Sequence, residues 1–270
     1  MEQGTRTVDE LTADLARLGI EPGDTVMVHA SLRAIGPVAA RAAGVVMALE
    51  RAVGEAGTLL MTLGARDDWA WVNERPESER PALLADTVPF DAAVTPAEPE
   101  IGVLAEVFRT LPGTVVSDHP EGRFGARGRR AKELVSDVPW NDYLGPGSPL
   151  ERLVNVGGKV LRLGADIDTV TLLHYAEYLA DLPAKRRVRR LRRLVSPNGP
   201  IVRTIECLDD AHGIVDYEGS DYFGVLLSAY LAEDRARYGM VGNARSELID
   251  AADLIGFATA WMTEHLRNAR

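Results

Sequence analysis

The sequence is poor in cysteine and lacks long apolar runs, and each absence excludes a class of protein. Its 270 residues include one cysteine, Cys207, so neither an intrachain disulfide framework nor a multi-cysteine zinc site can form. No stretch approaches the roughly 18 consecutive apolar residues of a membrane-spanning helix. The opening MEQGTRTVDEL has no apolar core of the signal-peptide type. We therefore expect a cytoplasmic protein without a membrane partner.

Basic residues are also in deficit. There are 30 Lys and Arg against 40 Asp and Glu, which gives a formal net charge of −10. Binding to a phosphate backbone needs a cationic face, so we expect no nucleic-acid partner, and an anionic membrane surface is disfavoured for the same reason. A cationic small molecule, by contrast, would be attracted.

Several sequence motifs of common enzyme classes are missing. The chain has no GxxxxGK[ST] loop, no GxGxxG after a strand, no GxSxG elbow and no HExxH. A phosphate-driven or serine-hydrolase mechanism therefore has no support in the sequence.

The residues that are present predict an α/β fold. The apolar runs Thr25–His29 and Thr58–Met61 have the character of buried strands, and a helical stretch, Gly44–Val53, separates them. Strand, helix and strand at this spacing predict a βαβ unit with a parallel pair. Two later extended runs, Arg186–Val195 and Pro200–Cys207, flank an Asn-Gly turn and predict an antiparallel hairpin.

Residues 64–100 interrupt this pattern. The segment holds five prolines and nine acidic residues against three arginines, with little periodicity. Long irregular segments in compact domains are usually functional or disordered, and Trp69 and Trp71 favour a packed excursion over a site. We predict a single domain over residues 1–270, with a mixed central sheet flanked by helices, an appended hairpin and this irregular insertion.

His174 is the strongest candidate for a catalytic base. It lies near the start of a helix that Asp168 is predicted to cap, and Glu177 follows three residues later on the same helical face. The helix N-terminus would disfavour the imidazolium, which leaves a neutral ring able to accept a proton, and Glu177 could orient it. The alternative is a packed helix histidine beside a solvated glutamate. No further ligand set accompanies the pair, so we predict no metal site.

Charges of opposite sign are concentrated in neighbouring segments. Lys185–Arg193 contains seven basic residues in nine, and residues 206–221 contain six acids with no Lys or Arg. One interpretation is cross-strand pairing on a solvated hairpin. The other is an acidic wall for an ammonium-bearing ligand, with the basic strand supporting its shape or meeting an anionic cosubstrate.

The end of the first predicted strand, HASLRAIGPV, is a candidate ligand site. Open α/β sheets bind ligands at this edge. Arg33 could pair with a phosphate, and Ser31 with loop N–H groups could bind acyl or pantetheine oxygens. The alternative is that this segment is an ordinary turn between a strand and a helix, with no ligand.

Six blocks, in order from about residue 8 to the C-terminus, together resemble the aminoglycoside 3-N-acetyltransferase family. They are GDTVMVHASLRAIGPV, AVGEAGTLLM, VPFDAAVTP, GVLAEVFRTLPGTVVSDHP, GPGSPLERLVNVGGKVLRLGADIDTVTLLHYAEYLADLP and MVGNARSELIDAADLIGFATAW. The resemblance implies an α/β acyltransferase that moves acetyl from acetyl-coenzyme A to the 3-amino group of 2-deoxystreptamine antibiotics.

The resemblance also implies roles for particular residues. His174 matches the family's catalytic base, and its acidic partner falls on Asp209, with Asp210 as the close alternative; Glu177 matches a residue that orients the base or contacts substrate. The implied coenzyme A contacts are Ser31, Leu32, Arg33, Ser117, His119 and Thr171. The acids implied on the aminoglycoside side are Asp67, Asp68, Asp209, Asp210 and Asp221.

Two departures from the family pattern border the expected site. The chain has AARAAG where the family usually has a Gly-Gly pair, and MTLGARDD where many members have an MPT-type strand end. These departures keep an acetyltransferase for another amine metabolite as a competing hypothesis. A non-catalytic binder of polycations, which would use the acids but not His174, is the other. The expected mechanism is direct transfer to the amine, which requires no reaction at Cys207.

Overall fold

The computed structural model of the chain describes residues 4–217 and 221–267. Within these ranges the α-helices are α1 Val8–Leu18, α2 Leu32–Ile35, α3 Arg41–Val53, α4 Arg80–Leu84, α5 Val103–Thr110, α6 Ala131–Val135, α7 Pro149–Asn155, α8 Leu173–Leu179, α9 Tyr222–Ala232 and α10 Ala251–His265. The strands are β1 Thr25–Ala30, β2 Thr58–Thr62, β3 Val115–Val116, β4 Phe124–Gly128, β5 Lys159–Leu163, β6 Arg187–Leu194, β7 Ile201–Leu208, β8 Arg237–Val241 and β9 Ala244–Asp250. None of the described helices is long and apolar enough to cross a membrane.

The central sheet is mixed. Its seven strands run in the order β3-β4-β2-β1-β5-β9-β8. β1 lies parallel to both β2 and β5, and antiparallel strands extend the sheet on either side of these three. β6 and β7 form a separate antiparallel pair. The predicted mixed sheet with an appended hairpin is therefore confirmed, including the parallel pair of the βαβ unit.

Three strands were not predicted. β4 has the sequence FGARG, and its two glycines hide the strand pattern that its pairing with β2 reveals. β8 and β9 form a hairpin around Gly242, whose φ of 59° suits the turn. The insertion is largely irregular, as predicted, but it also contains α4 and two short 3₁₀ turns, Ala70–Glu74 and Pro99–Ile101.

Each face of the central sheet is covered by helices. On one face, buried side chains such as Met27 and Leu60 belong to the core formed with α6 to α10. On the other face, Val26 and Leu59 belong to the core formed with α1, α3 and α5. Burial on both faces explains why β1 and β2 are continuous apolar runs rather than alternating ones.

The alternation of side chains along a strand also places polar residues at the carboxyl edge of the sheet. His29 and Thr62 lie two residues beyond Met27 and Leu60, so they share the face that carries α8. Arg162 lies opposite His29 in β5 and belongs to the same row. The strands therefore end in a polar row on the face of the sheet that also carries α8.

Arg123 joins the insertion to the sheet. This fully buried arginine precedes β4, and its guanidinium donates hydrogen bonds to the carbonyl oxygens of Thr95 at 2.7 Å, Pro96 at 3.1 Å and Ala92 at 3.0 Å. The Phe90 ring lies against the same guanidinium. One side chain next to the sheet thus donates to three partly buried carbonyl groups of the insertion.

We expect Arg123→Met to destabilise the fold by about 2–4 kcal/mol, because three partly buried carbonyl groups would lose the hydrogen bonds of a fully buried guanidinium. The measurement is denaturant unfolding, combined with limited proteolysis of the insertion, which should become faster. Arg130→Met is the matched control, since Arg130 forms an exposed ion pair with Glu133. We expect Arg130→Met to change the free energy of unfolding by no more than about 0.5 kcal/mol. Equal stability of the two variants would contradict the anchoring role of Arg123.

Candidate active site

A histidine–carboxylate pair lies on α8. The Nδ1 atom of His174 is 2.8 Å from Oε2 of Glu177, and Tyr222 donates its hydroxyl to the other oxygen of the same carboxylate. Glu177 is 1% exposed, whereas the His174 side chain is 19% exposed. The Phe223 ring packs edge-on against the imidazole, with centroids 4.8 Å apart. Glu177 and Phe223 therefore fix the orientation of the imidazole, while part of the ring stays accessible to solvent.

The structure corrects the predicted electrostatics of this histidine. α8 begins at Leu173 with no side-chain cap, so Asp168 lies in the preceding turn rather than at the helix start. Burial disfavours the imidazolium, but the charge and hydrogen bond of Glu177, with Asp210 and Asp221 nearby, outweigh it and raise the pKa of His174. The sequence pattern predicted that the helix N-terminus would lower the pKa of His174, and this prediction is wrong because the pKa is raised.

His174 faces a cavity of about 470 Å³, which we call the acidic pocket. Its acidic lining residues are Asp168, Glu177, Asp210, Asp216 and Asp221. Asp221 also caps α9 by accepting the N–H of Phe223, and Asp216 accepts a hydrogen bond from Arg186. Two of the predicted substrate-side acids, Asp210 and Asp221, are therefore brought to this pocket.

Asp209 does not contact the histidine. Its buried carboxylate accepts the N–H groups of Ala211 at 3.1 Å and His212 at 3.0 Å, and no hydrogen bond among the described residues joins it to His174. The predicted contact between Asp209 and the base is thus replaced by the contact of Glu177. The reason is local: the chain turns after β7, and Asp209 caps that turn.

Asp210 lies in the acidic pocket, and its carboxylate has two hydrogen-bond partners from distant parts of the chain. Arg190 of β6 donates to its Oδ1 at 2.5 Å, and the Tyr143 hydroxyl donates to its Oδ2 at 2.6 Å. Burial alone would raise the pKa of Asp210, but Arg190, His174 and Tyr143 together lower it. The charge pattern of the hairpin pointed to Arg190, whereas nothing in the sequence pointed to Tyr143.

Asp67 and Asp68 lie elsewhere. They line a second cavity of about 440 Å³ between the insertion and the hairpin. Asp67 accepts a hydrogen bond from Arg192 of β6, and Asp68 pairs with Arg66 at 3.0 Å. The structure therefore does not bring these two predicted substrate contacts to the acidic pocket. The basic strand instead pairs with acids of several loops, including Asp67, Glu121, Asp142 and Asp210.

A third cavity, of about 390 Å³, lies at the carboxyl edge of β1 and β2; we call it the edge pocket. Ser31 and Thr171, two of the residues predicted to bind coenzyme A, line it. Ser31 also caps α2, in which Leu32 and the exposed Arg33 follow. The sequence-based prediction of a ligand site after the first strand thus coincides with a cavity.

Ser117 and His119 have structural contacts. Nδ1 of His119 accepts the N–H groups of Glu121 at 3.1 Å and Gly122 at 2.7 Å, so Nε2 carries the proton and donates to the Trp140 carbonyl at 2.9 Å. Burial lowers the pKa of His119 to about 4. The Ser117 hydroxyl donates to the carbonyl of Gly122. The polar side-chain atoms of both predicted coenzyme contacts are therefore already hydrogen-bonded within the protein.

Neighbouring residues of the turn before α8 line the acidic pocket and the edge pocket. Thr171 lines the edge pocket, and its carbonyl accepts the N–H of His174 at 3.1 Å. The Thr62 hydroxyl at the end of β2 donates to the Thr171 hydroxyl at 3.2 Å. The base is thus one short turn from a cavity at the strand ends. No group of three or more metal-ligating side chains occurs in residues 4–217 and 221–267.

Comparisons of the sequence agree on one family. A family model described as aminoglycoside 3-N-acetyltransferase matches residues 27–263. The chain is 39% identical to aminoglycoside N(3)-acetyltransferase VII of Streptomyces paromomycinus, covering 99% of this chain and 95% of that one. It is 40% identical to aminoglycoside N(3)-acetyltransferase III of Serratia marcescens, covering 96% and 98%.

Solved structures give the same result. The crystal structure of aminoglycoside acetyltransferase AAC(3)-Xa superposes with a TM-score of 0.92 at 43% identity, covering 98% of this chain and 95% of that one. AAC-IIIb with coenzyme A has a TM-score of 0.90 at 38% identity, covering 96% and 97%. AAC-VIa bound to sisomicin has a TM-score of 0.89 at 36% identity, covering 98% and 100%.

The fold, the histidine site and these similarities define the class of this protein: it is an acyltransferase of the α/β type. Within that class, the chain belongs to the aminoglycoside 3-N-acetyltransferase family.

Proposed function

We propose that this protein transfers acetyl from acetyl-coenzyme A to the 3-amino group of 2-deoxystreptamine aminoglycosides and thereby confers antibiotic resistance. The observation that carries the proposal is the His174–Glu177 pair, whose ring opens on the acidic pocket and lies one turn from the edge pocket. The base therefore lies between the acidic pocket, which suits a cation, and the edge pocket, which suits an acyl donor. We further propose a single domain over residues 1–270 that works in the cytoplasm, without a nucleic-acid or membrane partner.

The acidic pocket suits a polyammonium ligand. Its carboxylates come from three separate segments, with Asp168 before α8, Asp210 after β7 and Asp221 at the start of α9. Negative charge focused in a cleft raises the local concentration and on-rate of a cationic substrate. The AAC-VIa relative binds sisomicin, which supports the same class of substrate here.

The edge pocket suits the acyl donor. It lies outside the carboxyl ends of parallel strands, where open α/β sheets bind their ligands. Ser31 and Thr171 supply hydroxyl groups, and Leu104 and Ala105 supply apolar surface. The AAC-IIIb relative holds coenzyme A, which supports acetyl-coenzyme A as the donor.

The proposed reaction is a direct transfer. An ammonium group is not a nucleophile, so the 3-amine reacts after one proton has passed to solvent. As its nitrogen attacks the thioester carbonyl carbon, His174 takes a second proton from that nitrogen, because Nδ1 is engaged by Glu177 and Nε2 is left to accept. The C–N bond forms, the C–S bond breaks, and the imidazolium returns its proton to the leaving thiolate.

No acyl-enzyme is needed in this scheme, and the cysteine is unsuited to form one. Cys207 is 1% exposed, and burial raises the pKa of its thiol to about 12. A nucleophilic cysteine needs a thiolate at neutral pH. The cysteine therefore belongs to the core and not to the reaction.

The test is a thiol-release assay with acetyl-coenzyme A and a panel of 2-deoxystreptamine aminoglycosides. We expect release only when both substrates are present, with one acetyl group on the 3-amine by mass spectrometry and NMR. Drug binding without thiol release would favour a polycation binder instead. Release with a different class of amine alone would overturn the proposed substrate.

A further inference from the structure

The carboxylate of Glu177 has a second donor besides the imidazole of His174. Glu177 is 1% exposed, His174 contacts its Oε2 at 2.8 Å, and the Tyr222 hydroxyl donates to its Oε1. Within residues 4–217 and 221–267 no other group hydrogen-bonds this carboxylate. A buried charge is costly unless hydrogen bonds compensate it. Tyr222 therefore supplies half of the hydrogen bonding of the carboxylate that contacts the base.

The Tyr222 hydroxyl is held in a fixed position. Tyr222 is buried at the first position of α9, and its ring packs edge-on against Phe223 and Tyr217, with centroids 5.2 Å and 5.9 Å away. Its oxygen also accepts the N–H of Ile214 at 3.3 Å. The ring passes so close to Gly213, which has a φ of 81°, that a Cβ there would lie 2.9 Å from it. The surroundings thus leave the hydroxyl one place to lie.

The Tyr222 hydroxyl keeps its proton and is therefore a donor. Burial, reinforced by the charge of Glu177, raises the pKa of Tyr222 well above its ordinary value. An ionised carboxylate only accepts hydrogen bonds, so the bond runs from the tyrosine to Glu177. The terminal torsion of a glutamate is otherwise broad. A donor on α9 and the imidazole on α8 therefore hold the carboxylate by both oxygens and fix its plane.

We propose that Tyr222 is a positioning residue for the acetyl transfer. Its hydroxyl fixes the carboxylate of Glu177 so that Oε2 stays on Nδ1 of His174, and Nε2 is left to accept the proton of the amine. Tyr222 also lines the acidic pocket, but its hydroxyl proton is donated to Glu177 and is not available to the substrate. The inference rests on the proposed function, and it assigns to α9 a part in orienting the base on α8.

The test is steady-state kinetics of Tyr222→Phe with an aminoglycoside and acetyl-coenzyme A. Phenylalanine keeps the ring and removes the hydroxyl. We expect kcat to fall about 10- to 100-fold, the effect of a loosely oriented catalytic group. KM for both substrates should stay close to that of the wild type, because no substrate contact is removed. Wild-type kcat in Tyr222→Phe would overturn the inference, and so would a raised KM with wild-type kcat.

Tyr230→Phe is the matched control on the same helix. Tyr230 is also buried and donates its hydroxyl to a carboxylate, that of Asp253, at 2.8 Å, but it does not line the acidic pocket. Both variants should lower the melting temperature, because each removes a hydrogen bond to a carboxylate. Only Tyr222→Phe should lower kcat. An equal loss of kcat in the two variants would make the effect one of stability and overturn the inference.

A double-mutant cycle shows whether Tyr222 acts through Glu177. In Glu177→Gln the hydroxyl no longer orients a charged carboxylate, so adding Tyr222→Phe should cost much less than it does in the wild type. The combined loss of kcat should therefore fall well short of the product of the two single losses. A combined loss equal to that product would overturn the inference and leave the proposed function standing. A wild-type protein that releases no thiol would instead refute the proposed function, and this inference with it.

Discussion

Replacing His174 with alanine should lower kcat by about 10²–10⁴-fold, the contribution expected of a general base. The amine must lose a proton as it attacks, and the imidazole of His174 opens on the acidic pocket while Glu177 holds its other nitrogen. Steady-state kinetics with an aminoglycoside and acetyl-coenzyme A measure the loss. The fold should persist, although the buried carboxylate of Glu177 loses one partner, and the affinity for coenzyme A should change little because His174 does not line the edge pocket.

His265→Ala is the matched control for this prediction. His265 also lies on a helix, but it is exposed at the end of α10 and stacks on Trp261. We expect its kcat to stay within about twofold of the wild type, as for a surface substitution. Near-wild-type turnover of His174→Ala would refute the assignment of the base.

Glu177→Gln should lower kcat by at least about tenfold and by up to about 10⁴-fold, the range expected when a carboxylate behind a catalytic histidine becomes an amide. Glutamine fills the same buried space but carries no charge to stabilise the imidazolium. It can also hold the ring in the wrong tautomer.

The same substitution should move the acid limb of the pH–rate profile to lower pH. Burial disfavours the imidazolium of His174, and the charge of Glu177 more than offsets this, so the pKa of the wild-type ring lies above its ordinary value of 6.5. The base is neutral, and active, above that pKa. Without the carboxylate the pKa falls, and the neutral ring persists to lower pH.

Asp209→Asn is the control that separates Glu177 from Asp209, two of the three carboxylates considered as partners of the base. Asp209 caps its own turn through Ala211 and His212, so its substitution should leave the acid limb in place. A shifted limb in Asp209→Asn together with an unshifted limb in Glu177→Gln would reverse the assignment. A shift in neither variant would remove both carboxylates from the pairing.

Local patterns in the sequence determined much of the fold. The apolar runs of β1 and β2 lie close together in the chain, and the helix between them makes the connection that parallel pairing requires. The Asn-Gly turn between two extended runs likewise predicts β6 and β7 within one or two residues. Such features depend on neighbouring residues and are visible without tertiary structure. β4 was missed because its strand character comes from pairing with β2, which lies about sixty residues earlier.

The sequence by itself determined that His174 and Glu177 share a helical face, because a three-residue spacing fixes that geometry. It also determined that the chain is acidic and that its one cysteine cannot form an intrachain disulfide. Only the tertiary structure decided which carboxylate contacts the ring and that Asp67 belongs to Arg192. The physical reason is that an ion pair or hydrogen bond between distant segments depends on how helices and strands pack. In addition, side chains of adjacent residues in a turn point in different directions. Asp209 and Asp210 are adjacent in the sequence, yet one caps a turn and the other faces the acidic pocket.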